Sequence, residues 1–193
     1  MIVRLDFGGE ARRGQALRIA DRPGPGVHIV SLLSRCLPFR DSCADEVFLD
    51  HALAHNDDFL GVMEELWRIS KPGTILHVRL PHASSSWAIS RDPRHPRSYT
   101  LETFNYFDPR LRDASCTSCA SFRVEHARLY LTGARPSARG LALARGAFAS
   151  IVEGFVNQNR GMQYRWERWF SPLVGGFEEL YVVLSVIKQT AFG

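Results

Sequence analysis

A mononucleotide-type α/β domain, built on a mostly parallel sheet with helices on its faces, is the fold this sequence predicts. Three observations predict it. The first half of the 193-residue chain alternates short apolar strand candidates with helical or loop crossovers, which is the pattern of a parallel sheet. The residues closing those strand candidates are glycine or polar: Phe7-Gly8-Gly9, Ala20-Asp21, Leu49-Asp50-His51 and Leu80-Pro81-His82. Ligands of such sheets bind outside the carboxyl ends of the strands. The length suits one core, since a chain of this size buries roughly 70% of its unfolded surface.

The elements follow in order. Residues 2–7 are an apolar-rich strand closed by Gly8-Gly9, and residues 16–20 a second strand ending at Asp21. Arg22-Pro23-Gly24-Pro25-Gly26 is a turn, and residues 27–33 offer a third strand. Val47-Phe48-Leu49 mark a buried strand over residues 46–50. Asp57 or Asp58 caps a helix whose apolar positions Phe59, Leu60, Val62, Met63, Leu66 and Trp67 recur at helical spacing. Lys71-Pro72-Gly73 stops it, and residues 74–80 are a β-branched strand ended by Pro81. Residues 84–98 read as a long polar loop, 101–107 as a short helix and 122–131 as a strand. Residues 138–155 read as an Ala/Leu-rich helix and 180–187 as a strong final strand. The whole is one domain, with residues 82–121 and 132–179 as loops and helices on the ligand side of the sheet.

Hydrophobic residues make up 45% of the chain and charged residues 23%, ordinary globular usage that argues against disorder or a fibrous repeat. The formal charge of +4 comes almost wholly from arginine, the only lysines being Lys71 and Lys188. No dense basic run is interleaved with aromatics, so a nucleic-acid surface is not the first reading. Of four cysteines (Cys36, Cys43, Cys116, Cys119), only the last two form a C-x-x-C. A structural zinc site normally needs two such pairs, so no metal is assigned. No apolar run reaches the roughly 18 residues that span a membrane, and the first residues lack a signal-peptide pattern. A cytoplasmic location is the expectation.

Residues 37–81 resemble small-molecule SAM-dependent methyltransferases of the class I, type 11-like group. The residues that carry the likeness are Leu37-Pro38-Phe39-Arg40-Asp41, Ala44-Asp45-Glu46-Val47, His51-Ala52-Leu53-Ala54-His55, Glu64-Glu65-Leu66-Trp67-Arg68 and Lys71-Pro72-Gly73. Their order and spacing match as one block. Asp92-Pro93-Arg94-His95, Tyr99-Thr100, Thr103-Phe104 and Tyr106-Phe107 extend it, and residues 181–188 resemble the group's closing strand. The resemblance implies a Rossmann-like sandwich with a seven-stranded, mostly parallel sheet and an antiparallel last strand. Here its N-terminus is shortened. It also implies S-adenosyl-L-methionine (SAM) as cofactor, lying over the ends of the first, second and fourth strands.

The resemblance assigns the cofactor to Phe7, Gly8, Gly9, Asp21, Ser31, Asp50 and His51. Glycine lets a backbone approach the cofactor closely and adopt positive φ, but the family's G-x-G is Gly8-Gly9-Glu10 here. Asp21 matches the acidic residue that holds the ribose hydroxyls, since a carboxylate accepts both hydroxyl hydrogens. Its structural alternative is to start the Pro/Gly turn. The third-strand end offers Ser31 and Ser34. His51 and His55, four residues apart, form a substrate or cofactor wall or cap structure, and a metal there would need a third ligand.

The catalytic candidates are His82, Asp92 and His95. A neutral histidine at the ligand-bearing edge can take a proton from an acceptor, with Asp92 orienting His95. Alternatively Asp92 and His95 tie down an arginine-rich loop. Trp87, Tyr99, Phe104, Tyr106 and Phe107 are offered as walls of an acceptor pocket, and Arg91, Arg94 and Arg97 as recognition groups for an anionic acceptor. The function expected is methyl transfer from SAM to a small polar acceptor, oxygen by preference, in biosynthesis. The alternative keeps the fold without methyl transfer, as a non-catalytic partner subunit or a cofactor-independent enzyme. A homodimer or a heterologous enzyme partner is compatible with either.

Overall fold

The computed structural model describes residues 2–8, 16–85, 97–112, 116–131, 141–170 and 176–188. Seven strands are present: β1 (Arg4–Phe7), β2 (Leu17–Ala20), β3 (Ile29–Val30), β4 (Ala44–Asp50), β5 (Ser70–Pro81), β6 (Phe122–Tyr130) and β7 (Glu179–Val186). They form one sheet in the order β3-β2-β1-β4-β5-β7-β6. β1 to β5 run parallel, while β7 inserts antiparallel between β5 and β6. The predicted mixed α/β sheet with an antiparallel last strand is therefore the observed one. The direction of strand order reverses at β1 and β4, which pair as Phe7↔Leu49. That reversal opens a crevice at their carboxyl ends.

The helices are α1 (Phe59–Ile69), α2 (Leu101–Asn105), α3 (Leu141–Val156) and α4 (Arg160–Arg165), the last continuing into a π turn at Trp166–Phe170. Asp58 caps α1 by accepting from the Gly61 N–H at 3.1 Å. The helix ends at Ile69, two residues before Lys71, and β5 begins at once with Ser70. Gly73, at φ 77°, takes the left-handed turn inside that segment. The third strand is much shorter than residues 27–33, because it pairs only with Ile19 and Ala20 of a four-residue β2.

α1 also explains why the resembling block holds together. The buried Glu65 accepts from the Leu37 N–H at 2.6 Å and from Arg68 at 2.7 Å. Arg68 reaches on to Asp41 and to the Phe39 carbonyl. Lys71 pairs with Asp45 at 2.6 Å. Trp67 donates to the Ile187 carbonyl at 2.9 Å, and Lys188 lies 4.8 Å from its ring centroid. Segments distant in sequence are thus fastened to one helix.

The two faces of the sheet differ. One carries Leu5, Val47, Leu49, Leu76, Val78, Phe122, Leu129, Val182 and Leu184. These are fully buried in a single core with Phe59, Val62, Met63 and Leu66 of α1, Leu101 and Phe104 of α2, and Val156 of α3. The other face is half-buried to exposed from β4 to β6: Glu46, Phe48, His77, Arg79, Tyr181, Val183 and Arg128. It is organised by contacts within the sheet itself. His77 stacks on Phe48 at 4.8 Å, bonds the Tyr181 hydroxyl at 2.7 Å and meets Glu46 at 3.2 Å. The strand alternation of apolar and polar residues is that of a sheet with one dry and one wet face, whereas helices on both faces were expected.

The outer edge of β6 is occupied by side chains. Asn157 donates to the Leu129 carbonyl and accepts from its N–H, both at 2.8 Å. Gln163 donates to the Ala127 carbonyl and Glu153 accepts from the Leu131 N–H, again at 2.8 Å. No helix of the described residues is long and apolar enough to cross a membrane.

Candidate functional site

A cavity of about 600 Å³ lies over the carboxyl ends of β1, β2, β3 and β4. Its walls include Phe7, Gly8, Asp21, Ser31, Asp50 and His51, six of the seven cofactor-binding residues read from the sequence. The seventh, Gly9, lies outside the described residues, as does Glu10. Gly8 makes the sharp exit from β1 with φ 82°, and a Cβ there would stand 2.6 Å from the Asp50 carbonyl oxygen. Only glycine brings the two strand ends this close.

Asp21 leaves β2 with a side chain 61% exposed, 3.7 Å from Arg22. Ser31 is placed by its N–H bond to the Ala20 carbonyl at 2.9 Å. Leu32 and Leu33 add an apolar wall, and Asn56, Asp57 and Asp58 close the far side. These five escaped the sequence reading. The leucines were absorbed into an overlong third strand, and Asp57 and Asp58 were read only as helix caps. Their assembly is visible in the contacts: Asn56 donates to the Leu33 carbonyl, Arg35 pairs with Asp58 at 2.5 Å, and Arg97 donates to the Asp57 carbonyl at 2.9 Å. The Arg35 guanidinium and the Gly61 N–H hold the Asp58 carboxyl below the usual range. From below, the buried Tyr99 hydroxyl donates to the Leu53 carbonyl at 3.0 Å, and burial pushes that phenol up to about 12.

Among the residues lining the cavity there is no lysine or arginine, and the carboxylates are Asp21, Asp50, Asp57 and Asp58. In a chain of net charge +4, this is a local reversal of sign.

His51 turns the chain out of β4 in a left-handed conformation, φ 55° and ψ 0°, rare for a residue with a Cβ. Its N–H donates to the Arg79 carbonyl at 3.0 Å. Its Nε2 stands 3.4 Å from Glu179 and 3.7 Å from Asp50. Glu179 in turn lies 3.8 Å from Arg79. Glu179 had no signal in the sequence, because it reaches the site only through the antiparallel insertion of β7.

His82 ends up elsewhere. It is 1% exposed, follows β5, and does not line the cavity. The Ser84 N–H donates to its Nδ1 at 3.2 Å, so Nε2 carries the proton toward Glu167 at 2.7 Å. Glu167 also accepts from the Leu101 N–H at 3.1 Å. The arrangement ties β5, α2 and the π turn together. Asp92 and His95, with Trp87, Arg91 and Arg94, lie outside the described residues. Tyr99, Phe104 and Phe107 are core residues packed around Phe59, with ring centroids 5.4, 6.2 and 5.9 Å away, so they are not acceptor walls. Cys116 bonds the Tyr106 carbonyl, and among the described residues no group of three His, Cys, Asp or Glu could hold a metal ion.

This strand order, with one antiparallel strand and a cavity over the ends of β1, β2 and β4, is that of the class I SAM-dependent methyltransferases. Residues 3–78 match the family model described as Methyltransferase domain, of the type 11 group. That stretch contains every strand end bordering the cavity. The chain thus has the fold of the class I SAM-dependent methyltransferases, and its residues 3–78 are similar to that family's domain. Among solved structures, the chain is similar to a SAM-dependent methyltransferase from Archaeoglobus fulgidus (TM-score 0.55, 13% identity, covering 95% of this chain and 86% of that one). It is also similar to the Haloferax volcanii complex between the Trm112 methyltransferase activator and a methyltransferase (TM-score 0.58, 14%, 97% and 83%). A third similar structure is the cyclase SpnF (TM-score 0.54, 17%, 96% and 75%). At these identities the likeness is one of fold. No curated protein matches the chain significantly.

Proposed function

We propose that the chain transfers a methyl group from SAM to a small polar acceptor, with oxygen as the target atom, in a biosynthetic, cytoplasmic setting. The observation that carries this is the acidic cavity at the β1/β4 reversal. SAM supplies a methyl group on a positively charged sulfur, next to an ammonium, and a cavity lined by four aspartates and no lysine or arginine suits such a ligand. The residues fit the cofactor in kind. Gly8 leaves room where a Cβ would collide with Asp50. Asp21 supplies a carboxylate for the ribose hydroxyls, Ser31 a hydroxyl beyond it, and Leu32 and Leu33 an apolar wall for the base. Methyl transfer needs mainly alignment and desolvation of the acceptor. A proton-accepting group matters most when the acceptor is an unactivated hydroxyl.

Isothermal titration with SAM and with its demethylated product, S-adenosylhomocysteine (SAH), tests the reading. Both are expected to bind and to raise the melting temperature. No heat and no thermal shift with either ligand would overturn it.

A second reading is favoured by the half-exposed sheet face: the chain acts without methyl transfer, as a partner subunit or a cofactor-independent enzyme. SpnF, of similar fold, is a cyclase. Turnover of an acceptor with SAM by the isolated chain rules this reading out.

A further inference from the structure

We infer that His51 is the group that takes the acceptor's proton, with Glu179 and Asp50 as positioning residues at its Nε2. The inference rests on the reading of the preceding subsection and adds to it a named proton acceptor inside the cavity.

Four observations carry it. His51 lines the cavity with a side chain 39% exposed, whereas the buried His82 lies outside it with both ring nitrogens engaged. Its left-handed backbone is an unfavourable conformation for a histidine, of the kind that persists at functional sites because the surroundings fix it. Those surroundings are its N–H bond to Arg79 and the 3.1 Å bond from the Ala54 N–H to its carbonyl. Two carboxylates, from β4 and β7, stand at ion-pair distance from the same ring nitrogen, Nε2. The charged group behind them is Arg79 of β5, 3.8 Å from Glu179. With Nε2 directed at the carboxylates, Nδ1 is the nitrogen left for the acceptor.

The chemistry balances. The acceptor oxygen's lone pair forms the new bond to the methyl carbon, the carbon–sulfur pair stays on sulfur, and the acceptor's proton passes to Nδ1. Asp50 and Glu179 stabilise the resulting imidazolium, which returns its proton to water after product leaves. Because SAM and SAH differ by one positive charge at the sulfur, they give a readout that needs no acceptor.

The experiment follows the His51 ring by NMR across pH in the free protein, with SAM and with SAH. His51→Asn identifies the signal by its disappearance, since asparagine tolerates the left-handed backbone. Bound SAM should lower the His51 midpoint by about half a pH unit or more relative to bound SAH, through like-charge repulsion. Glu179→Gln should lower it in the free protein. Identical titrations with both ligands bound, or an unmoved midpoint in Glu179→Gln, would overturn the inference alone. Failure of SAH to bind would overturn the underlying methyltransferase reading and this one with it.

Discussion

Gly8 and Asp21 face the same cavity but answer to different physics. At Gly8 the backbone is left-handed and a Cβ would meet Asp50 oxygen at 2.6 Å. Gly8→Ala should therefore destabilise the fold by about 1–3 kcal/mol and remove SAH binding. Asp21 is largely exposed, so Asp21→Asn should leave stability unchanged and weaken SAH about tenfold, the worth of a charge-assisted hydrogen bond. Denaturant unfolding paired with calorimetry separates the two, and equal SAH affinity in wild type and Asp21→Asn would remove the ribose role. Both residues were legible in the sequence because each closes a strand. Leu32, Leu33 and Glu179 were not, since their place depends on the length of β3 and on where β7 inserts. The two lysines are both structural: Lys71 holds Asp45, and Lys188 donates to the Arg68 and Ser70 carbonyls behind α1.

At the scale of elements, α1 is the fastening point of the half that carries the cavity. Burial pushes the Glu65 carboxyl up, but Arg68 and the Leu37 N–H outweigh it and hold the group below its ordinary value. Lys71 and the Val3 N–H lower Asp45, and Arg110 lowers Asp108. A carboxyl depressed by folding adds stability above its unfolded pKa, and that contribution is lost as pH falls through the folded value. The melting temperature should accordingly be flat from pH 7 to about 5 and fall steeply below about 4. Glu65→Gln should blunt the fall, as circular dichroism melts across pH would show. A parallel loss in both proteins would assign the acid lability to other groups. The start of α1 was legible from its Asp58 cap and apolar spacing. What the helix ties together was not, because Leu37, Asp41 and Ile187 meet it only in three dimensions.

Across the described residues of the whole molecule, one face of the sheet is buried and the other is half-buried to exposed from β4 to β6. Neighbouring β7 residues test this, since Leu184 is fully buried and Val183 half-buried on the opposite face. Leu184→Ala should cost about 2–5 kcal/mol, whereas Val183→Ala should cost under about 1.5 kcal/mol. Equal losses in urea unfolding would mean that both faces are dry. The strand sequences already carried this asymmetry. TILHVRLP and ELYVVLSV alternate instead of running continuously apolar, and the expectation of helices on both faces overrode that local signal. The mostly parallel order was legible from the alternation of elements, whereas the antiparallel last strand and the cavity's place over particular strand ends were implied only by the family resemblance.

The amide of Asn157 on Leu129 has one more consequence. It imitates an eighth strand for one residue, using up the donor and acceptor that an incoming chain would template on. With Gln163 and Glu153 beside it, β6 is a poor place for strand exchange or fibril growth. At the other end, β3 offers a rim only two residues long. Ribbon-to-ribbon self-association is thus discouraged at both margins of the sheet.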